Sequence, residues 1–260
     1  MKIKVLGCSG GIGGASTRTT CLLVDMDILI DAGTAAADLP LEALCQIDHI
    51  FLTHSHLDHI ASLPFILDST LGLRNRPIRI YALPQTINVL KDHIFNWSIW
   101  PDFTTIPDPA SPCVQFIPIA VGDRFTLNGR TFTTVPANHV VPAVGYIVKG
   151  SQATLAFTGD TTTNPAFWPW INDIHDLRYL IIETAFSNRE RDLAEKSKHL
   201  CPSLLANELD SLKKEVEIFI THLKPNEAEI IMEEIHAMMA QSSRKDLLIK
   251  PLETGLTFEI

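Results

Sequence analysis

The chain is 260 residues long, 46% of them hydrophobic, and carries a formal charge of −9. That length and apolar content suffice for a substantial core, and one domain over residues 1–260 is expected. The acidic balance argues against duplex nucleic acid or transfer RNA as a partner, because long polyanions are held by a basic stripe; a small anion stays compatible. No run of about 18 apolar residues occurs, the length a membrane span needs, and residues 1–7 read as a first strand instead of a signal peptide. The expectation is a cytoplasmic protein without a membrane partner. Cys8, Cys21, Cys45, Cys113 and Cys201 are scattered and form no CxxC pair, so they read as packing residues in a reducing compartment.

Residues 2–7 alternate as a strand does. The following Ser9-Gly10-Gly11-Ile12-Gly13-Gly14 is a loop whose backbone can approach a neighbour closely, either as a tight turn or as the border of an active site. Residues 19–25 and 27–31 predict a hairpin around Met26, ending in Asp31-Ala32-Gly33-Thr34, and 39–45 a short helix. The strand 47–53 then delivers Thr53-His54-Ser55-His56-Leu57-Asp58-His59, three imidazoles and a carboxylate within six residues. In an extended segment side chains alternate, so His54 and His56 project to one side and can reach one cation. Asp58 and His59 fall where a helix over 57–71 should begin, which turns them toward a second cation. A polar turn is a poor account of such a cluster, since buried polar groups need partners and metals supply them.

Residues 77–82 predict a strand and 84–95 a helix with proline in its first turn. The segment 96–103, containing Trp97, Trp100 and Phe103, breaks this regularity, and Pro107, Pro109 and Pro112 follow it. Rigid aromatic loops of this kind line purine pockets, form the interface of a homodimer, or pack as lids. From Val114 the texture is β-rich, with strands over 114–119, 124–127, 131–136, 143–148 and 154–158 and a turn at Asn128-Gly129. This second sheet brings His139 in a loop and Asp160 just after a strand. Alternation then returns: strand 179–183, helix 202–214, strand 216–221 ending at His222, helix 226–240, and a closing strand or two over 247–260. Asn226 and Glu229 have capping-box spacing, and Ile231, Ile235 and Met238 form an apolar stripe. Two similar halves are visible, each β then α. His49, His175 and His236 read as structural or solvated, and His93 as packing.

Ligand residues at the carboxyl ends of strands are how α/β architectures gather distant side chains at one edge. In order and spacing, His54-x-His56-x-Asp58-His59, His139, Asp160 and His222 resemble the metallo-β-lactamase superfamily over nearly the whole chain. The resemblance implies an αββα sandwich of two sheets flanked by helices. It further implies two divalent metal ions: His54, His56 and His139 on one, Asp58, His59 and His222 on the other, and Asp160 bridging. Nitrogen and carboxylate ligands without thiolates suit zinc, with manganese or iron also tolerated. Two such ions bring four positive charges, against three from Asp58, Asp160 and a bridging hydroxide, so the site stays positive inside an acidic protein and suits a phosphodiester anion.

Within the superfamily, residues 53–63 resemble the class II cyclic-nucleotide phosphodiesterase signature. So do residues 93–103, Ile182-Glu183-Thr184-Ala185-Phe186, His199-Leu200-Cys201-Pro202 and Thr221-His222-Leu223-Lys224-Pro225. Pro64 and Phe65 depart from that signature, where helix packing is at stake more than chemistry. The resemblance implies Asp58, Glu183 and His199 as catalytic residues, with His199 the general acid and Glu183 its orienting partner. The implied substrate is a small cyclic nucleotide, cyclic AMP or GMP, with Trp97, Trp100 or Phe103 stacking on the base. A ribonuclease Z-like endonuclease would share the ligands and the acid, but normally recruits transfer RNA through a basic arm, for which this chain has no insertion. A non-catalytic metal-stabilised binding module is the alternative of another class; the complete ligand set stands against it.

Overall fold

In the first strand, β1 (Lys2–Gly7), Ile3 and Val5 are buried while Lys2 and Lys4 face solvent, the period of two that puts one face of a strand on a core. The computed structural model describes residues 1–14 and 17–260. After β1 come β2 (Cys21–Val24), β3 (Ile28–Ile30), α1 (Leu41–Leu44), β4 (His49–Phe51), α2 (Leu57–Ile60), α3 (Leu63–Thr70), β5 (Ile78–Ala82) and α4 (Pro84–His93). A two-residue ribbon, β6 (Pro107–Asp108) with β7 (Ser111–Pro112), precedes β8 (Val114–Pro118). The second half holds β9 (Arg124–Leu127), β10 (Arg130–Pro136), β11 (Val144–Lys149), β12 (Thr154–Phe157), α5 (Trp168–Asn172), β13 (Leu177–Glu183), α6 (Arg191–Ser197) and α7 (Pro202–Leu209). The chain closes with β14 (Glu217–Thr221), α8 (Ala228–Met239), β15 (Leu248–Pro251) and β16 (Thr257–Glu259).

These strands form two seven-stranded sheets, ordered β16-β1-β2-β3-β4-β5-β8 and β15-β14-β13-β12-β11-β10-β9. Both follow one plan. An antiparallel part, β16 to β3 or β9 to β12, gives way to a parallel part, β3 to β8 or β12 to β15. The two β-then-α halves are therefore present, except that β16 crosses back to pair with β1. Three apolar clusters mark the layers. Phe51, Phe132, Tyr146, Phe157 and Ile181 pack between the sheets, with Phe51 stacked between Tyr81 at 4.3 Å and Phe132 at 4.5 Å. Ile50, Leu63, Ile66 and Leu90 pack helices on the outer face of the first sheet; Leu180, Leu205, Ile231 and Ile235 do so on the second. The architecture is the expected αββα sandwich.

Several element boundaries differ from the sequence expectation. The helix over 57–71 is two helices, α2 and α3, separated at Ala61-Ser62. Pro64 lacks the N–H a continuous helix would need, and Ser62 instead ties the junction to the β3 turn, its N–H donating to Ala32 O and its Oγ to Gly33 O. The helix over 202–214 stops at Leu209. At α8 the N-cap is Glu227 and makes no side-chain cap bond; Asn226 stands in the left-handed region at φ 67°, so the Asn226–Glu229 capping box does not form. In the apolar stripe, Ile231 and Ile235 are buried as expected, but Met239 takes the place given to Met238.

Candidate metal centre

The parallel strands end on one edge, and β4, β12 and β14 each release a histidine or aspartate there. His56 is extended at φ −67°, ψ 148°, and immediately precedes α2. Alternation before the helix puts His54 and His56 on one side, and the first turn of α2 swings Asp58 and His59 to the other. Two groups result, His54/His56/His139/Asp160 and Asp58/His59/Asp160/His222, with the donor atoms of each within 4.8 Å of one another. Asp160 belongs to both. The structure brings together the seven residues that the sequence singled out, in two clusters that share Asp160.

Short contacts tie the groups together. His139 Nε2 lies 3.1 Å from His56 Nδ1, and His222 Nε2 lies 3.1 Å from both Asp58 Oδ2 and Asp160 Oδ2. His59 Nε2 is 3.3 Å and His54 Nε2 3.7 Å from the same Asp160 oxygen. Backbone and side-chain acceptors outside the cluster fix the tautomers. His139 Nδ1 faces the carbonyl of Lys198 at 3.0 Å, so it must carry the proton and leave the Nε2 lone pair facing inward. His59 Nδ1 likewise donates to Asp31 at 2.7 Å, and His54 Nδ1 meets Thr53 Oγ1 at 2.9 Å. The Nε2 atoms of His54 and His59 are then buried, aimed into the cluster, and without hydrogen-bond partners. Buried orphans of this kind call for a cation, and the donor set of imidazoles and carboxylates fits a divalent one.

The electrostatics agree. Burial holds His54 well below the ordinary imidazole range and His139 at about 4, against the pull of Asp160. His59 and His222 go the other way. Burial opposes their charge, but Asp160, helped by Asp31 on His59 and Asp58 on His222, outweighs it and raises both, His222 to about 9. Asp160 is buried too, yet the charges of His222 and His59 hold it well below the usual carboxylate range. The centre of the cluster thus favours positive charge.

Glu183, fully buried at the end of β13, accepts from His199 Nδ1 at 2.7 Å and from Thr161 N at 3.0 Å. The His199 ring lies 4.9 Å from that of His139 and 5.0 Å from that of His222, so it stands over both ligand groups at once. The glycine loop borders the site on the His222 side. Gly10 N donates to Leu223 O and His222 N to Cys8 O; a Cβ on Gly10 would stand 2.5 Å from His222 Nδ1. Of the two readings left open for this loop, the border to the site is the one observed.

Of the readings offered for the aromatic segment, packing is the one seen for Phe103 and Trp100, and base stacking by Phe103 is excluded. Phe103 is 1% exposed, packed in the outer core of the first sheet 6.1 Å from Phe95, and has no face left to stack on a base. Trp100 packs on that core and edge-on to Phe65 at 5.3 Å. Trp97 is exposed at 67%. Sequence reasoning missed Asp31, Thr53 and Lys198, which position ligands without being ligands themselves. A carboxylate ending the apolar strand Ile28–Ile30 was the available signal for Asp31; for a carbonyl such as that of Lys198 there was none. His49 and His236 have structural partners, Tyr81 Oη at 3.1 Å and Ile249 O at 3.3 Å.

Residues 27–237 match the family model described as a beta-lactamase superfamily domain. Among curated proteins, a probable 3′,5′-cyclic-nucleotide phosphodiesterase of Yersinia pestis is 27% identical over 207 residues, covering 70% of this chain and 58% of that protein. A chloroplastic tRNase Z of Arabidopsis thaliana is 26% identical over 284 residues, covering 94% and 74%. Among solved structures, unliganded yeast PDE1 superposes with a TM-score of 0.82 over 100% of this chain and 99% of that one at 20% identity, a likeness of fold. With residues 27–237 of the chain matched by the family model, the chain belongs to the metallo-β-lactamase superfamily, and its two His/Asp groups are each arranged so that they could hold a metal ion.

Proposed function

We propose that the protein hydrolyses a 3′,5′-cyclic nucleotide, cyclic AMP or cyclic GMP, to the 5′-monophosphate. The observation that carries this reading is the His199–Glu183 pair standing over both ligand groups. Opening a cyclic phosphodiester requires a proton for a poor leaving group, and a general acid is typically worth about 10² to 10⁴ in rate. Similarity to the Yersinia pestis phosphodiesterase supports the same substrate class, although the chain spans only 58% of that protein's length. His54, His56, His139 and Asp160 would hold one divalent ion and Asp58, His59, Asp160 and His222 the other, zinc fitting the donors best and manganese or iron also being accepted. Ions there supply Lewis-acid activation of water and neutralise phosphate charge.

The protein's own groups do the rest. Asp160 and Asp58 orient what binds between the two groups. Water passes a proton to the Asp58 carboxylate as its oxygen forms the new bond to phosphorus, the bond to the 3′ oxygen breaks, and His199 gives that oxygen a proton. Glu183 accepts from His199 Nδ1 and so keeps the imidazole turned toward the leaving group. A His199→Ala variant should retain its metals yet lose about 10² to 10⁴ in turnover of cyclic AMP; turnover within a few fold of wild type would remove the assignment.

The tRNase Z similarity over 94% of this chain supports a second reading, an endonuclease acting on RNA. The formal charge of −9 weighs against it. Hydrolysis of cyclic AMP, cyclic GMP, a 2′,3′-cyclic nucleotide and a transfer RNA precursor by metal-quantified protein separates the two. Cleavage of the precursor alone, with salt-sensitive binding, would establish the endonuclease. Bound metals with no phosphodiester hydrolysed would leave a binding module.

A further inference from the structure

Lys198 occupies the residue after α6 with φ 53° and ψ 53°, the left-handed conformation that helix ends usually give to glycine. A side chain there carries strain, and such strain persists where the surroundings require that residue. Three contacts show what it does. The carbonyl of Lys198 accepts the Nδ1–H of His139 at 3.0 Å. Its left-handed turn reverses the chain so that His199 N reaches back to Ala194 O and the His199 ring comes over the cluster. Its ammonium donates to Asn138 Oδ1 at 3.2 Å, and among the described residues it has no carboxylate partner.

Asn138 is itself held by the loop that carries Asp160. Its N–H donates to Thr161 Oγ1, its Nδ2 donates to Thr163 O, and its carbonyl accepts from Thr162 N. Thr161 N in turn donates to Glu183, the partner of His199. The contacts close a ring: Lys198, Asn138, Thr161, Glu183, His199 and back to Lys198. We infer that Lys198 is the positioning residue that sets His139, a ligand of one group, and His199, the proton donor, in a fixed relation. Glycine would satisfy the backbone angle better, but would take from Asn138 Oδ1 its ammonium donor and leave the turn free to move relative to the Asp160 loop.

The inference rests on the metal and acid roles proposed above, and its test separates the two. Wild type, Lys198→Gly, Lys198→Arg and Asn138→Ala are compared by thermal midpoint, by zinc affinity of chelator-treated protein in competition with a chromophoric chelator, and by turnover of cyclic AMP and of bis-p-nitrophenyl phosphate. The p-nitrophenolate group leaves without a proton, so it reports the ligand geometry alone, whereas cyclic AMP reports the acid as well. Lys198→Gly should keep or raise the thermal midpoint while zinc affinity falls about 3- to 10-fold, less than the 10- to 100-fold found when the partner orienting a metal ligand is removed, because the carbonyl that accepts from His139 stays in place. Cyclic AMP turnover should fall further than p-nitrophenyl turnover, and Lys198→Arg should restore both. Asn138→Ala should reproduce the direction, and combining it with Lys198→Gly should add little. If Lys198→Gly keeps zinc affinity and both turnovers within twofold of wild type, the residue is only a helix cap and the inference is overturned. If wild type binds zinc but hydrolyses neither compound, the proposed function fails, and zinc affinity still decides the positioning role.

Discussion

At the scale of single residues the site is governed by close approach. Gly10 has an ordinary backbone conformation, so its requirement for glycine comes from space and not from φ. A methyl group there would meet the Nδ1 and carbonyl oxygen of His222, whose own φ of 63° leaves the segment little freedom to withdraw. Gly10→Ala should therefore displace His222 from Asp58 and Asp160. Metal analysis after dialysis should show loss from the second group, with turnover reduced about 10- to 100-fold as when a supporting contact is lost. Equal metal content and turnover in the variant would show that the glycine loop yields and His222 does not. Asp31 works at the same scale. It is fully buried, accepts from His59 Nδ1, Thr53 N and Thr53 Oγ1, and so fixes one ligand and the strand end that delivers two more.

Between elements, the hairpin of β2 and β3 is joined to β10 of the other sheet by Arg130. Its guanidinium grips both carboxylate oxygens of Asp27, reaches Asp25 at 3.2 Å, and donates from Nε to Leu127 O. The Arg130 side chain is 9% exposed and that of Asp27 23%, so solvent screens the pair only in part. Arg130→Leu should cost about 2 kcal/mol, less than the loss of a fully buried partner, because Asp27 can still find water. Asp27 is lowered from its ordinary carboxylate value by the bonds to Arg130, which overcome its burial. A lowered carboxylate contributes stability that is present above the unfolded value of about 3.9 and disappears as pH falls through the folded one. Urea midpoints at pH 7 and pH 3 test this. The gap between wild type and Arg130→Leu should narrow at the lower pH, and a gap that stays constant would show that lost packing, not the ion pair, is the cause. This clamp was not legible in the sequence, because it joins residues more than 100 positions apart. Strand β1 was legible because burial repeats every second residue, and the central strands, buried on both faces, as short apolar runs. The division of α2 from α3 was foreshadowed only by Pro64, and the burial of Phe103 not at all, since an aromatic in a loop looks the same whether it lines a pocket or fills a core.

For the molecule as a whole, most of the residues proposed to hold metal could be gathered from the sequence because His54, Asp160 and His222 follow strands whose carboxyl ends meet at one edge. His139 lies in a loop after an antiparallel strand and was placed by the family resemblance. Of the groups that orient them, Asp31 is marked in the sequence as a carboxylate ending an apolar strand, whereas a carbonyl such as that of Lys198 carries no sequence mark. What unites both sheets at that edge is a cluster whose charge balance depends on what fills it. Protonated His59 and His222 balance Asp58 and Asp160 when protein groups act alone. A histidine raised above its unfolded value of about 6.5 contributes stability that is fully present below that pH and lost as pH rises through its folded value, here about 9 for His222. Divalent ions need the same nitrogens unprotonated, so their binding becomes more favourable over the same interval. Chelator-treated protein should accordingly lose thermal stability from pH 6.5 toward pH 9, while the increment regained on adding zinc should grow. With zinc at about 100 times its dissociation constant the increment is about 2.7 kcal/mol, equivalent to about 5–10 °C at about 2–4 °C per kcal/mol for a chain of this size. Calorimetry across that pH range, with and without zinc, decides the matter. An increment that shrinks as pH rises would mean that protons and metal do not compete for the nitrogens of His59 and His222, and the assignment of the second group would fall with it.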